Sequence, residues 1–279
     1  MRTLDVSEII DDIARMCMNA NYHVDDDLLR ALNKAKNEES SELGKNILGQ
    51  IIENDEIASQ TQVPMCQDTG VVVAFVEIGN DVQLFGSLED AINEGIRRGY
   101  EKGYLRKSVV QHPLNRVNTK DNTPAVIHYK ITSGDQLKIT IAPKGAGSEN
   151  QSQLRMLKPA DGYAGVKQTV IDAVLKAGGN PCPPIIVGVG IGGSFEKSAL
   201  IAKEALMRPL DDVSEDEIAA KLEQELLTEI NELNVGPMGF GGKTTALAVK
   251  VNTYPCHIAS LPVAVNIQCH AARHMTKVF

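Results

Sequence analysis

The spacing of apolar residues changes near residue 60, and this change most constrains the fold. From residue 3 to about 60 the apolar positions recur every three or four residues, as at Ile9, Ile13 and Met16. This period is typical of amphipathic helices, so several helices are expected here. Further along, apolar residues gather in short β-branched runs, which are typical of strands. The sequence therefore predicts an α+β fold.

Three stretches locate individual elements. Residues 71–79, VVVAFVEIG, are short and β-branched, which predicts a buried strand. Ser87 precedes a helical pattern that runs to about Lys102, so it is the expected N-terminal cap of a helix. Residues 125–142 contain two β-rich runs around Ser133-Gly134-Asp135, which predicts a hairpin and therefore antiparallel sheet.

The rest of the chain continues this mixture. Further helices are predicted near 163–177, 194–207 and 214–233, and further strands at 185–190 and within 243–269. No internal repeat or low-complexity linker interrupts the pattern. We therefore expect a single α+β domain over 1–279, helical over 1–60 and mixed over 61–279, with antiparallel hairpins in a mixed sheet.

Charge and hydropathy exclude two classes of partner. The chain carries 28 Lys and Arg against 36 Asp and Glu, a formal charge of -8, and has no cation-rich run. Binding to a phosphate backbone needs many clustered cations, so no nucleic acid partner is expected. No stretch approaches the roughly 18 apolar residues of a membrane span, and acids near the start replace the apolar core of a signal peptide. We expect a cytoplasmic protein without a membrane partner.

The cysteines are the first candidates for chemistry. There are five, at positions 17, 66, 182, 256 and 269, with no CxxC pair, so disulfides are not expected and the fold must assemble any metal site. Cys17 lies on the apolar face of the first helix, where a buried role is expected, and a structural role is preferred for Cys256. The other three, Cys66, Cys182 and Cys269, lie in loops rich in polar residues or proline.

Three soft thiolates can hold an iron–sulfur cluster, which normally takes four cysteines. The missing ligand would leave one iron open as a Lewis acid for a substrate carboxylate and hydroxyl. Asp68 would lie at the edge of such a site, and Arg106, Arg116 and Lys144 are available to bind a dicarboxylate. The spacing of the cysteines permits this chemistry but does not require it.

Two glycine-rich runs imitate nucleotide-binding motifs. The run GVGIGG at 188–193 satisfies GxGxxG after an apolar strand, and an acidic pair follows at 211–212. An NAD-dependent oxidoreductase is therefore the remote alternative, although the acidic pair follows Pro209 instead of ending a second strand. The run GKT at 242–244 resembles the end of a P-loop, but Pro237 stands where the first glycine is required.

Several longer strings together resemble one family. They include PMCQDTG, GSEN, GVGIGGSFEKSALIAKEAL, GPMGFGGKTTALAV and YPCHIASLPVAVNIQCHAARH, all in the family's order. From about residue 5 to 275 the chain is similar to the alpha subunit, or N-terminal domain, of class I fumarases and L-tartrate dehydratases. The resemblance implies the fold of that domain and a hydro-lyase with an oxygen-sensitive 4Fe–4S cluster.

The resemblance also implies the site residues. The cluster's three ligands map onto Cys66, Cys182 and Cys269, leaving one iron open. Substrate contacts map onto the side chains of Gln67, Asp68 and Arg106 and onto the main chain of Gly147. An arginine can take a carboxylate in bidentate fashion, and a glycine amide can approach a substrate oxygen closely. Asp68 is expected to act in catalysis as well.

The family's base is a threonine of the C-terminal domain, and this chain ends at Phe279 after the third cysteine motif. We therefore expect a separate beta subunit to complete the active site, in a dimer of alpha–beta pairs. Reversible hydration of fumarate to L-malate is the preferred activity because it is the commoner metabolic role. An L-tartrate dehydratase alpha subunit is the alternative, since the two substrates differ by one hydroxyl.

Two departures from the family pattern remain. The segment KGAGSEN has Ala146 where a third glycine is common, and His112 precedes a proline where an acid is common. We favour a turn-forming role for His112. His270 and Arg273 follow Cys269 within four residues. Their roles stay open between orienting a cluster ligand and compensating the cluster's charge.

Overall fold

The computed structural model describes residues 2–279. Its chain divides into two compact units. Unit 1 comprises the residues up to Val24 together with Asn54–Ala146 and Arg273–Phe279, and unit 2 comprises Asp25–Glu53 and Gly147–Ala272. Each unit is thus built from segments that are distant in sequence. The expectation of a single domain stays a prediction.

The elements are numbered in chain order. The first half contains β1 (Arg2–Asp5), α1 (Ile10–Tyr22), α2 (Asp26–Glu38), α3 (Glu42–Thr61), β2 (Val71–Gly79), β3 (Val82–Phe85), α4 (Leu88–Lys102), β4 (Val126–Thr132) and β5 (Leu137–Lys144). The second half contains α5 (Ala146–Glu149), β6 (Gln153–Leu157), α6 (Gly162–Ala177), β7 (Ile185–Gly192), α7 (Phe195–Ala205), α8 (Glu217–Glu232), β8 (Ala246–Tyr254), β9 (Leu261–Gln268) and β10 (Met275–Val278). The mixed α+β class is confirmed.

Unit 1 is a sheet covered by helices. Its four strands lie in the order β10-β5-β2-β4, with β2 parallel to β4 and antiparallel to β5. Helices α1 and α4 pack on each other, and α1 also contacts β5. The largest fully buried side chains of this core include Tyr100, Ile92 and Ile139. Ser87 caps α4 by accepting a hydrogen bond from the Asp90 amide, as its sequence predicts.

The predicted hairpin in 125–142 is wrong. Both strands exist as β4 and β5, but β2 lies between them in the sheet. Their connection crosses the end of β2, where the Gly79 amide donates to Gln136 O at 2.9 Å. A Cβ at Gly79 would lie 2.2 Å from Gly134 O, so glycine permits this crossing. Within residues 2–279, none of the antiparallel pairs joins strands consecutive in sequence.

Unit 2 has its own sheet, in the order β6-β9-β7-β8. Strand β7 is parallel to β8 and antiparallel to β9, so this sheet is also mixed. Helix α7 packs on β7, and α8 packs on β8. The buried valines and isoleucines of β7 and β9 form the core with α6 and α8. The long connection through α7 and α8 makes the parallel β7–β8 pair possible.

The glycines of the GxGxxG run serve packing. A Cβ at Gly188 would lie 2.2 Å from Ala202 O, and one at Gly190 would lie 2.1 Å from Ser198 O. Both oxygens belong to α7, so the glycines let this helix approach β7 closely. The acidic pair is also engaged, because Asp212 accepts from Lys250 at 2.8 Å. The structure therefore accounts for this motif without a dinucleotide.

Most predicted elements are confirmed, and the four missed strands, β1, β3, β6 and β10, are short. Strand β1 pairs with β3, β10 pairs with β5, and β6 pairs with β9. Each pairing is set by residues distant in sequence, which local periodicity does not reveal. Within residues 2–279 no helix has both the length and the apolar character needed to cross a membrane.

Substituting Gly190→Ala tests the packing role of β7. The added Cβ would collide with Ser198 O, 2.1 Å away, so we expect a loss of about 1–3 kcal/mol in unfolding free energy. Gly49→Ala in α3 is the matched control, because its Cβ would meet only the flexible end of Lys36 at 3.3 Å. Urea unfolding followed by circular dichroism measures both. Equal stabilities for the two variants would contradict this packing account.

Candidate active site

The segment Val63–Gly70, VPMCQDTG, is a loop of unit 1 between α3 and β2, and its main chain is fixed at several points. At the start of this loop the Met65 amide donates to Asn21 O at 3.0 Å. The Met65 carbonyl accepts from Asn54 Nδ2 at 2.9 Å. The Cys66 side chain is half-buried, and its thiol donates to Gln67 Oε1 at 3.3 Å. Cys66 and the exposed Gln67 thus project from a rigidly held backbone.

The other end of the loop is fixed by hydrogen bonds from two buried side chains to its carbonyl oxygens. Tyr100, fully buried on α4, donates its hydroxyl to Thr69 O at 2.6 Å and to Gly70 O at 3.2 Å. Asn122 Nδ2 also donates to Gly70 O, at 3.1 Å. The Thr69 hydroxyl in turn donates to Arg106 O at 3.0 Å. The predicted substrate residue Arg106 is therefore tied to the same loop.

Asp68 has its carboxylate directed by two main-chain amides. Oδ1 accepts from Gly70 N at 3.1 Å, and Oδ2 accepts from Ala146 N at 2.9 Å. Arg106 Nη2 lies 3.5 Å from Oδ1, and this arginine remains 56% exposed at its side chain. The structure thus brings Asp68 and Arg106 together. The pair offers an anion and a cation side by side, with much of the guanidinium still free to face solvent.

Unit 2 brings three other predicted residues close to one another. The His270 amide, next to Cys269, donates to Cys182 O at 3.5 Å. Cys182 is half-buried in a turn with φ of 55°, the left-handed region that few non-glycine residues occupy. Gly147 lies beside this turn, since a Cβ on it would be 3.8 Å from Asn180 O. The loops that carry Cys182 and Cys269 are therefore neighbours.

The chain's cysteines differ in their fitness to bind a cluster. Burial raises the pKa of Cys17 to about 12, so this core thiol stays protonated. Cys256 is exposed and donates to Ser260 O at 3.3 Å. Cys66, Cys182 and Cys269 are half-buried on loops, which gives each partial access to a ligand.

The two units divide these three thiols. Cys66 belongs to unit 1, and Cys182 and Cys269 belong to unit 2. Within either unit, residues 2–279 contain no group of three His, Cys, Asp or Glu side chains arranged to hold a metal ion. The donor set nevertheless fits an iron–sulfur cluster, because soft thiolates are its ordinary ligands and two of them lie on adjoining loops.

A polar cluster that the sequence analysis missed braces the GSEN segment. Lys203 Nζ donates to Glu149 Oε1 at 2.6 Å and to Asn266 Oδ1 at 3.3 Å. Asn266 Nδ2 donates to Glu149 Oε2 at 2.9 Å and to Ser152 Oγ at 2.8 Å. Asn266 lies on β9, the strand that leads to Cys269. These bonds link the loop of Gly147 to that strand.

His112 and Arg116 have local roles. His112 Nδ1 accepts from the amides of Leu114 and Asn115, both at 3.2 Å, so it forms the expected turn. Arg116 donates to Pro113 O at 3.3 Å within the same exposed loop. Lys144 differs from both, since it is 6% exposed at the end of β5.

The GKT run is occupied by a side chain of its own unit. Glu39, which follows α2, accepts from the amides of Lys243 at 2.9 Å and Thr244 at 2.8 Å. It also accepts from Ser40 at 2.8 Å and Ser41 at 3.0 Å. Burial alone would raise the pKa of Glu39, but the hydrogen bonds from these amides outweigh it and lower the pKa to about 2. The amides that a P-loop would offer to phosphate therefore bind a carboxylate.

Comparison with known proteins adds a consistent set of similarities. A family model described as Fumarate hydratase (Fumerase) matches residues 10–278. The "Putative L(+)-tartrate dehydratase subunit alpha" of Methanocaldococcus jannaschii is 44% identical over 278 residues, covering 97% of both chains. The L(+)-tartrate dehydratase alpha subunits of Escherichia coli (strain K12) and Shigella sonnei are 30% identical, covering 97% of this chain and 90% of theirs.

The ionised Glu39 predicts a pH-dependent stability. Its pKa is lowered on folding, so its contribution is complete above the unfolded value near 4.3 and is lost as pH falls toward 2. Glu39→Gln should lower the unfolding free energy by about 1–3 kcal/mol at pH 7. The difference from the unaltered chain should shrink below pH 4.5.

Urea titrations at pH 7, 4.5 and 3 measure this dependence. Glu42→Gln is the control, since the Glu42 side chain is 82% exposed and its pair with Lys45 should contribute less than about 0.5 kcal/mol. A Glu39→Gln effect that stays constant between pH 7 and 3 would show that the carboxylate charge is not what stabilises this loop.

Proposed function

Since the chain belongs to the fumarate hydratase (Fumerase) family, a family of hydro-lyases, we propose that it is the alpha subunit of an enzyme that dehydrates L(+)-tartrate. The named relatives at 44% and 30% identity are tartrate dehydratase alpha subunits. The preference for fumarate, which rested on its commoner metabolic role, thus has less support than its alternative. One structural observation carries the proposal: the Asp68 carboxylate lies beside Arg106 on the loop that presents Cys66.

Cys66, Cys182 and Cys269 would hold the cluster in this proposal. Their thiols are half-buried, whereas Cys17 is sealed in the core and Cys256 lies exposed. When bound, a 4Fe–4S cluster with one iron free of cysteine supplies a Lewis acid that makes a substrate hydroxyl a better leaving group. Its formation requires three reduced cysteines that bind as thiolates, and reducing surroundings such as the cytoplasm would keep them from oxidation.

Arg106 is the residue we assign to a substrate carboxylate. Its guanidinium is anchored on one side by Nε, which donates to Ser108 Oγ at 3.2 Å. Its exposed face retains donors in the planar arrangement that matches a carboxylate. Gln67 offers an exposed amide on the 63–70 loop to which Arg106 is bonded, and the main chain of Gly147 has no Cβ to block a ligand. Each of these groups is of a kind that binds the oxygens of a small dicarboxylate.

Asp68 is assigned to proton transfer. Dehydration removes a proton from one carbon and a hydroxide from its neighbour, so negative charge passes through the substrate during the reaction. The Asp68 carboxylate is held in one direction by Gly70 N and Ala146 N, which suits it to accept a hydrogen bond from an acidic group. By family resemblance the base that Asp68 supports is a threonine of the beta subunit.

The substrate determines the product that must be detected. Loss of water from L(+)-tartrate gives an enol, which rearranges to oxaloacetate, whereas loss of water from L-malate gives fumarate. The beta subunit is part of this proposal because the relatives carry the name alpha subunit. The proposed enzyme is a dimer of alpha–beta pairs.

Substrate preference is measured on the complex of this chain with its beta subunit, purified without oxygen. We expect kcat/KM for L(+)-tartrate to exceed that for L-malate and for fumarate by at least about tenfold, a difference within reach of one specific contact to the extra hydroxyl. Oxaloacetate is followed by coupled NADH oxidation and fumarate by its absorbance. Preferential turnover of malate and fumarate would instead establish the fumarate hydratase activity that names the family.

Arg106→Gln tests carboxylate binding in the same complex. Losing the guanidinium should raise KM about 10- to 100-fold, because a charged hydrogen bond contributes about 1.5–3 kcal/mol. Arg98→Gln is the matched control, since within residues 2–279 the Arg98 guanidinium pairs with Glu94 and Asp11 and with no residue of the candidate site. An unchanged KM in Arg106→Gln, or an equal rise in Arg98→Gln, would remove Arg106 from the binding site.

A further inference from the structure

Arg273 is a buried cation that reaches the candidate site from the segment after Cys269. It is 4% exposed, so its guanidinium does not face solvent. Nη2 donates to Asp68 O at 2.9 Å, and Nη1 donates to Asn21 Oδ1 at 3.0 Å. Its Nε is buried with no hydrogen-bond partner within the described residues. Burial of an arginine is unfavourable unless its donors are used, and here the two terminal nitrogens are used on one loop and one helix.

Asn21 connects that arginine to the start of the same loop. It is fully buried at the end of α1, where its Nδ2 donates to Cys17 O at 2.9 Å. Its main-chain oxygen accepts from the Met65 amide, at 3.0 Å. One residue of α1 therefore fixes both the guanidinium of Arg273 and the backbone just before Cys66. A shift of Arg273 relative to α1 would therefore also displace the main chain of this loop near Met65.

Asp55 supplies nearby negative charge. It is 3% exposed, and neither carboxyl oxygen has a hydrogen-bond partner in the described part of the chain. Burial raises the pKa of Asp55 to about 6, and the positive charge of Arg273 opposes this rise only in part. A buried carboxylate without hydrogen bonds is unfavourable by itself, and the attraction of the Arg273 charge reduces that cost. Asp55 offsets the charge of a guanidinium held away from water.

Gly145 marks where the two groups converge. A Cβ at this position would lie 3.4 Å from Asp68 Oδ2 and 3.5 Å from Arg273 Nη2. The carboxylate of Asp68 and the guanidinium of Arg273 thus approach the same glycine, and the next amide, that of Ala146, donates to Oδ2. The main-chain oxygen and the carboxylate of Asp68 are both set by partners gathered around this point.

We propose that Arg273 is a positioning residue, which holds the main chain of Asp68 so that its carboxylate stays between the amides of Gly70 and Ala146. The proposal rests on the proposed function only in assigning Asp68 to proton transfer. Arg273 is buried and acts through Asp68, without touching the substrate. Arginine suits this task because its rigid planar donors span two acceptors at once, which a lysine ammonium does less well.

Hydrogen exchange of the alpha–beta complex without substrate tests the arrangement directly. In Arg273→Met the amides of Gly70 and Ala146 should exchange at least about tenfold faster, while amides of the α1 and α4 core keep their rates. Arg273→Lys should give an intermediate increase, because one donor is retained. Ile139→Val, which removes a methyl group from the same core, is the control for general loosening.

Two results would overturn the proposal. One is unchanged exchange at Gly70 and Ala146 in Arg273→Met, and the other is an equal rise throughout unit 1, which would mean a merely structural role. If Arg273→Met fails to fold, Asn21→Ser replaces it. This change removes Asn21 Oδ1, the oxygen that accepts a hydrogen bond from Arg273 Nη1. It should speed exchange at the same two amides, and unchanged rates would again reject the proposal.

Kinetics separate this role from substrate binding. Arg273→Lys should lower kcat for the preferred substrate about 10-fold with KM within twofold, because Asp68 is misdirected and Arg106 is not. A rise in KM alone would contradict the positioning role. The exchange measurements need no turnover, so a complex that dehydrates none of the tested acids but shows the expected exchange rejects the proposed function and leaves the positioning role supported.

Discussion

The carboxylate of Asp68 accepts hydrogen bonds from the amides of Gly70 and Ala146, at 3.1 and 2.9 Å, and the candidate chemistry of unit 1 depends on this geometry. A carboxylate held by amides has a fixed direction, which a freely rotating side chain lacks. The bonds hold only if the loop's main chain is itself fixed. Tyr100 and Arg273 fix it, from α4 and from the segment after Cys269. Cys66 and Gln67 can then project from the loop without loosening it.

Unit 2 follows the same design with different elements. The glycines of β7 let α7 pack closely, and Asn266 on β9 joins Glu149 and Lys203 in a polar cluster beside the GSEN segment. The order of these parts keeps the loops of Cys182 and Cys269 adjacent. Both units thus place half-buried thiols on loops whose backbones are held by hydrogen bonds. Within each unit, this pre-organisation fixes the direction of the thiols that the proposed cluster would use.

The sequence predicted those features that depend on residues close together in the chain. Helix α4 with its Ser87 cap, the buried strand β2 and the core position of Cys17 all follow from periodicity and capping within a few residues. The hairpin was mispredicted because β2 lies between β4 and β5 in the sheet. This order is set by pairing with a strand distant in sequence, which a local turn signal does not reveal. Residue type and loop position already pointed to the three loop cysteines, Asp68 and Arg106, and family resemblance added Gln67 and Gly147 and assigned the roles. The role of Arg273 needed its burial and its two hydrogen bonds, which no local pattern contains.

Iron and acid-labile sulfide counted in the anaerobically purified alpha–beta complex test the central claim most directly, which is that three loop cysteines of this chain hold a cluster. We predict about four irons and four sulfides per alpha chain in the unaltered complex. Cys256→Ser, at an exposed cysteine, should retain that content, and Cys182→Ser should lose most of it. Absence of iron from the unaltered complex, or full iron content in Cys182→Ser, would contradict the account.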